Sequence, residues 1–141
     1  MNLQTQHLSR SLQTLEASIQ ALTQAEPNSI EFEIYRCAAI KGFELTLEVC
    51  GKLLRKALKA YGGSPKEIDA LSYKDVFRQS AKHGLFPTEL VERWYHYRDN
   101  RNNTAHDYGV AFTQETLSLL PAYIQDVQTI ITSLNERFSQ E

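Results

Sequence analysis

The stretch from Asn28 to Gly63, NSIEFEIYRCAAIKGFELTLEVCGKLLRKALKAYGG, decides the fold. Pro27 breaks what precedes it, Asn28 opens a helix, and Glu31 stands three residues later in capping-box position. Ile34, Cys37, Ile40, Phe43, Leu47, Cys50, Leu54, Ala57, Leu58 and Tyr61 then recur near the helical period. They predict one long helix with a buried stripe, ending at Gly62-Gly63 where a positive φ is inexpensive. A helix of this length needs other helices to cover its stripe.

Those helices are legible on both sides. Leu3, Leu8, Leu12, Leu15, Ile19 and Leu22 predict a first amphipathic helix over about residues 2 to 25. Ser64-Pro65-Lys66-Glu67 predicts a short turn with Pro at the first helical position, and Ser72 with Asp75 repeats the capping logic ahead of a short helix to about His83. Gly84 and Pro87 mark the next boundary, and Thr88 caps a helix carrying Leu90, Val91, Trp94, Tyr95 and Tyr97. After Gly109 the chain restarts near Thr113 and runs through Leu117, Leu120, Ile124, Val127, Ile130, Ile131 and Leu134, with Pro121 expected to kink or restart it. No segment alternates as a strand does. The expectation is an all-α bundle of four to five helices, with residues 1–141 forming one domain.

Composition narrows the function. No apolar run is long enough to span a bilayer, and the N-terminus lacks the basic start and apolar core of a signal peptide, so a cytoplasmic protein is expected. Cys37 and Cys50 fall about 20 Å apart along one helix, beyond the ~7 Å reach of a disulfide, and read as buried apolar thiols. His7, His83, His96 and His106 are scattered and form no chelating pair, so no metal is expected. Phosphate-loop and dinucleotide signatures are missing, and no cofactor is expected. A net charge of -2 argues against broad capture of nucleic acid and leaves local recognition of RNA open.

One string concentrates chemistry: Arg101-Asn102-Asn103-Thr104-Ala105-His106-Asp107-Tyr108-Gly109. It brings a fixed cation, an amide, an imidazole and a phenol within eight residues, the groups needed to grip a phosphate and move a proton. On a straight helix Arg101 and His106 are roughly 140° apart, so joint action requires a distorted helix or two copies facing across a twofold axis. The competing reading is a pair of helix-end cations favoured by the macrodipole. Tyr108 is otherwise a packing residue beside a helix-ending glycine. Glu44 and Glu48, i and i+4 on the long helix, either orient Arg101 or form a solvated acidic face. Trp94, Tyr95, Tyr97 and Arg98 serve either to stack bases or to build the core or a dimer interface.

Arg101, Asn102 and His106 resemble the mark of the HEPN superfamily, an arginine, a polar residue and a histidine four to six positions after the arginine. The longer pattern through Tyr108 looks like that of HepT-type toxins encoded beside a minimal nucleotidyltransferase antitoxin. Tyr35 to Glu48, and Phe77 to Leu85 followed by Trp94, are similar to the subgroup named nucleotidyltransferase substrate-binding proteins. The resemblance implies a homodimeric HEPN-type bundle whose paired motifs cleave RNA without metal, through attack of a ribose 2′-hydroxyl on the neighbouring phosphate. It implies His106 as general base or acid, Arg101 as the phosphate cation and Asn102 as the positioning amide; Glu44, Glu48 and Asp107 are candidate supporting groups by type and position in the sequence. Tyr108 would be the hydroxyl that the cognate nucleotidyltransferase modifies with AMP, which would regulate the site. The subgroup's name implies an alternative, a non-enzymatic partner that binds the substrate or nucleotide of a separate nucleotidyltransferase. A plain dimerisation module has no use for Arg101, His106 and Tyr108 together.

Overall fold

The computed structural model describes residues 3–104 and 110–138, with the side chains of 102–104 and 110–113 excepted. Every described element is helical: α1 (Gln6–Gln24), α2 (Ile30–Ala60), α3 (Pro65–Asp69), α4 (Tyr73–Lys82), α5 (Thr88–Thr104) and α6 (Val110–Arg137). Five are full helices and α3 is the short turn expected around Pro65, so the all-α bundle is the observed architecture. The thirty-one residues of α2 form its spine, packed against α1, α4 and α6, while α5 is held between α4 and α6.

Local chemistry accounts for the boundaries. Asn28 is not the cap of α2; it adopts a left-handed φ of 72°, which asparagine tolerates, and Ser29 accepts the Phe32 N–H instead. Ser64 and Ser72 cap α3 and α4 through the N–H groups of Glu67 and Asp75. Gly62 closes α2 at φ 94° and Gly84 follows α4 at φ 77°, conformations that a side chain would strain. At the N-terminal end, the Thr5 hydroxyl donates to Asn135 Oδ1 at 2.7 Å, which ties the start of α1 to the end of α6.

Three expectations are corrected. First, α6 begins at Val110 rather than near Thr113, and it runs unbroken through Pro121. That proline is exposed, so its ring is accommodated on the outer face of the helix. Second, Cys37 is exposed, while Cys50 is buried as expected. Third, the stripe of α2 is not buried throughout. The three-residue steps from Ile34 to Phe43 each fall about 60° short of a turn, which places Ile34 roughly opposite Phe43. Ile34 is accordingly 57% exposed, while Phe43, Leu47, Cys50 and Leu54 face the core.

The core is aromatic at its centre. Trp94 and Tyr97 of α5, Tyr123 of α6, Phe43 of α2 and Phe77 of α4 are fully or almost fully buried. Phe77 stacks on Trp94 with centroids 4.6 Å apart, and Tyr123 meets Phe43, Trp94 and Tyr97 within 4.8–5.4 Å. Trp94 and Tyr97 are therefore core and do not stack bases, while Tyr95 between them is half-buried under Lys74. Two polar locks fasten α5 to α6. Buried Asp126 accepts from Arg93 at 2.8 and 2.9 Å and from the Tyr97 hydroxyl at 2.6 Å, and the Thr116 hydroxyl donates to the buried Asn100 at 2.7 Å. Both locks lie within about two turns of Arg101 and set the rotation of the helix that carries it.

Candidate functional site

A groove of about 440 Å³ runs along the face of α2 next to its core stripe. Lys41, Glu44, Leu45, Glu48, Gly51, Lys52 and Arg55 line one wall, spaced by three or four residues, and Arg98 and Arg101 of α5 line the other. Tyr73, from the first turn of α4, lies between the two. The same long helix therefore serves the core with one face and the groove with another.

The base of the groove is rigid. The Tyr73 hydroxyl donates to the Leu47 carbonyl of α2 and accepts from Trp94 Nε1 at 3.1 Å. Gly51 makes room for the ring: a Cβ there would sit 2.6 Å from Tyr73 Cε2. Burial pushes the phenol well above its ordinary pKa. The Arg98 guanidinium lies over this ring, 4.3 Å from its centroid. Arg55 donates to the Ile68 and Leu71 carbonyls at 2.7 and 2.9 Å and holds the α3 turn against α2.

Five cationic side chains, Lys41, Lys52, Arg55, Arg98 and Arg101, face two carboxylates in this groove. A chain of net charge -2 thus carries a local surplus of positive charge on one face. Lys52 and Glu48 approach to 3.4 Å with both side chains exposed, a contact that contributes well under about 1 kcal/mol. The arrangement suits an anion that bears more than one charge, since several donors converge and the carboxylates compensate only part of the field.

Of the site residues expected from sequence, Arg101, Glu44 and Glu48 are brought to this one groove. Asn102 lies on α5, but its side chain is outside the described set. His106, Asp107 and Tyr108 lie outside the described residues. Lys41, Lys52, Gly51 and Tyr73 were not anticipated as site residues, and Arg98 was weighed only beside Trp94, Tyr95 and Tyr97 as a residue that stacks bases or builds the core or a dimer interface. Helical spacing offered a sign for some of them, because Arg98 stands one turn before Arg101 and Lys41 and Lys52 share a face with Glu44 and Glu48. Tyr73 had no such sign, as it arrives from another helix. Among the described residues no three His, Cys, Asp or Glu side chains could hold a metal ion, and no helix is long and apolar enough to cross a membrane.

Bundle and groove together define a small all-α domain with a cationic face built on one long helix. Comparison with known proteins makes the assignment narrower. The chain belongs to the family described as nucleotidyltransferase substrate binding protein like, whose model matches residues 3–136. It is 25% identical over 99 residues to a Haemophilus influenzae protein named probable ribonuclease HepT, the match covering 70% of this chain and 66% of that one. Among solved structures, it superposes with a TM-score of 0.82 on a Haemophilus influenzae protein described as revealing the fold of a substrate binding domain of a nucleotidyltransferase. That likeness covers 92% of this chain and 98% of the other at 22% identity, and it shows the shared fold. A Thermus thermophilus protein superposes with a TM-score of 0.72 at 26% identity, covering 90% of this chain and 98% of its own.

Proposed function

We propose that this protein is a HEPN-type toxin, a metal-independent endoribonuclease that works as a homodimer and is neutralised by a minimal nucleotidyltransferase partner. The observation that carries the reading is the position of Arg101: the first residue of the R-N-x3-H string lines a groove with a surplus of cations. In the proposed reaction a ribose 2′-hydroxyl attacks the adjacent phosphorus. The P–O bond to the 5′-oxygen breaks, leaving a 2′,3′-cyclic phosphate and a free 5′-hydroxyl. His106 accepts the proton of the attacking hydroxyl or supplies one to the leaving oxygen, and two copies of the motif in a dimer provide both roles. Arg101 stabilises the charge that builds on the phosphate oxygens, and Asn102 positions the phosphate or the imidazole. Glu44 and Glu48 limit the field around Arg101, and Asp107 supports His106.

Tyr108 is the proposed point of control. An AMP group on its hydroxyl would place a bulky anion beside Arg101 and His106 and exclude the substrate phosphate by volume and charge. Co-expression with the cognate nucleotidyltransferase should add the mass of one or more AMP units to the wild-type chain and not to Tyr108→Phe. Modification that survives in Tyr108→Phe would refute the assignment.

A second reading is favoured by the family description itself: a non-enzymatic subunit whose groove holds the substrate or nucleotide of a separate nucleotidyltransferase. The two separate on His106. Purified wild-type protein incubated in EDTA with mixed tRNA and mRNA should cut RNA to 2′,3′-cyclic phosphate ends, and His106→Ala should cut nothing while retaining its helicity. Cleavage by neither protein would favour the subunit reading, and equal cleavage by both would remove His106 from the mechanism.

A further inference from the structure

Arg98 is held in place, and among the described residues its hydrogen-bonding edge is uncommitted. Arg55, Arg78, Arg93 and Arg137 each donate to an oxygen within the protein. Arg98 is half-buried in the groove, yet no carboxylate or carbonyl oxygen of the described residues takes its N–H groups. Its described partner is the Tyr73 ring, which is anchored at its hydroxyl by Leu47 and Trp94 and stacks on Phe77 with centroids 5.1 Å apart. A guanidinium stacked on a fixed ring is pre-oriented, and its in-plane donors remain available to an anion. Across the groove, Lys41 is exposed and is likewise without an ion-pair partner among the described residues.

Arg98 and Arg101 are i and i+3 on α5, so their side chains stand about 5–6 Å apart at Cβ on one face. With Arg98 held over the Tyr73 ring, the two cations can serve two neighbouring anionic groups. We infer that Arg98 binds a backbone phosphate flanking the one held at Arg101, with Lys41 of the same groove adding to the positive field along the strand, so that the groove selects an oligonucleotide over a mononucleotide. The inference rests on the nuclease reading for the presence of RNA in the groove. It adds a recognition site outside the R-N-x3-H string. Gly51 and Tyr73 are the positioning residues of that site, the first by leaving room for the ring and the second by orienting the guanidinium.

The test is fluorescence anisotropy in EDTA with a labelled short single-stranded RNA, with AMP as competitor. Full-length His106→Ala protein serves as the parent, so that the RNA survives the titration. Arg98→Gln in that parent should weaken RNA binding about tenfold and flatten the dependence of log K on log salt by about 0.7, the loss of one single-strand phosphate contact. Lys41→Gln, at an exposed residue whose loss cannot unfold the bundle, should change the slope in the same direction. Arg98→Lys should restore most of the slope, which a merely structural role would not require. Affinity and slope unchanged in both Arg98→Gln and Lys41→Gln would overturn the inference, and so would AMP competing as well as the oligonucleotide or a parent that binds no RNA. Cleavage by wild type, lost in His106→Ala but retained by Arg98→Gln and Lys41→Gln with unaltered binding, would leave the nuclease reading standing without this site. Binding that depends on Arg98 in a protein that never cuts would uphold the site and defeat the nuclease reading.

Discussion

Asp126 shows how one residue positions the site without belonging to it. Its carboxylate, buried in α6, accepts from two nitrogens of the Arg93 guanidinium and from the Tyr97 hydroxyl, so two side chains of α5 share one anchor on α6. The hydrogen bond and charge of Asp126 hold the Arg93 guanidinium more firmly protonated than usual. Burial and the bond to Asp126 push the Tyr97 phenol up as well. Arg93→Ala should cost about 2 kcal/mol, less than the ~3–5 kcal/mol of breaking a fully buried pair, because the Arg93 side chain is 47% exposed and water can reach its place. In urea denaturation the Arg93→Ala and Asp126→Ala effects should not add, with a coupling of about 1 kcal/mol or more. Strict additivity would mean the pair contributes nothing.

At the scale of the element, α2 does two jobs that conflict at Gly51. Helix propensity favours Ala over Gly by roughly 1 kcal/mol in a helix interior. The Tyr73 ring occupies the space that an alanine methyl needs, and its hydroxyl is bound on two sides and cannot easily withdraw. Gly51→Ala should therefore destabilise by about 1–2 kcal/mol net, and the loss should shrink when Tyr73→Ala is also present. A Gly51→Ala chain more stable than its parent would show that the ring moves freely and that the base of the groove is soft. On α5, the element that carries the string, the aromatic periodicity that could have served a stacking surface is consumed by the core at Trp94 and Tyr97. Arg98 and Arg101 follow one turn further along nearly the same face, and these are the residues of α5 that reach the groove.

The whole bundle is built around proton-bearing groups taken out of water. Burial raises the pKa of Tyr73, Tyr123 and Cys50, and burial with the Asp126 contact raises that of Tyr97. Each group keeps its proton in the folded state at a pH where the unfolded chain releases it. Their contribution to stability is thus complete below about pH 8–9 and declines as the pH rises past about 10. The melting temperature followed by circular dichroism should fall steeply above about pH 10, and Tyr97→Phe should soften that fall. A melting temperature unchanged to about pH 11 would contradict the burial of these groups.

Much of this was written locally. Ser64, Ser72, Gly62 and Gly84 punctuate helices through bonds and φ values confined to a few residues, and the apolar periods of α1, α4 and α6 name the faces that they bury. Arg101, with Glu44 and Glu48, could be singled out because residue type and helical spacing suffice for it. The three-residue steps that carry Ile34 and Cys37 away from Phe43 are also written in the spacing; what spacing could not reveal was which arc of α2 is buried, and only packing against α1, α4 and α6 decided that. The placing of Tyr73 against Gly51, of Arg98 over Tyr73, and of Asp126 under Arg93 and Tyr97 was likewise decided by tertiary structure. These contacts join residues 22 to 33 positions apart on different helices, and their energies depend on distance in space, which periodicity along one helix does not encode.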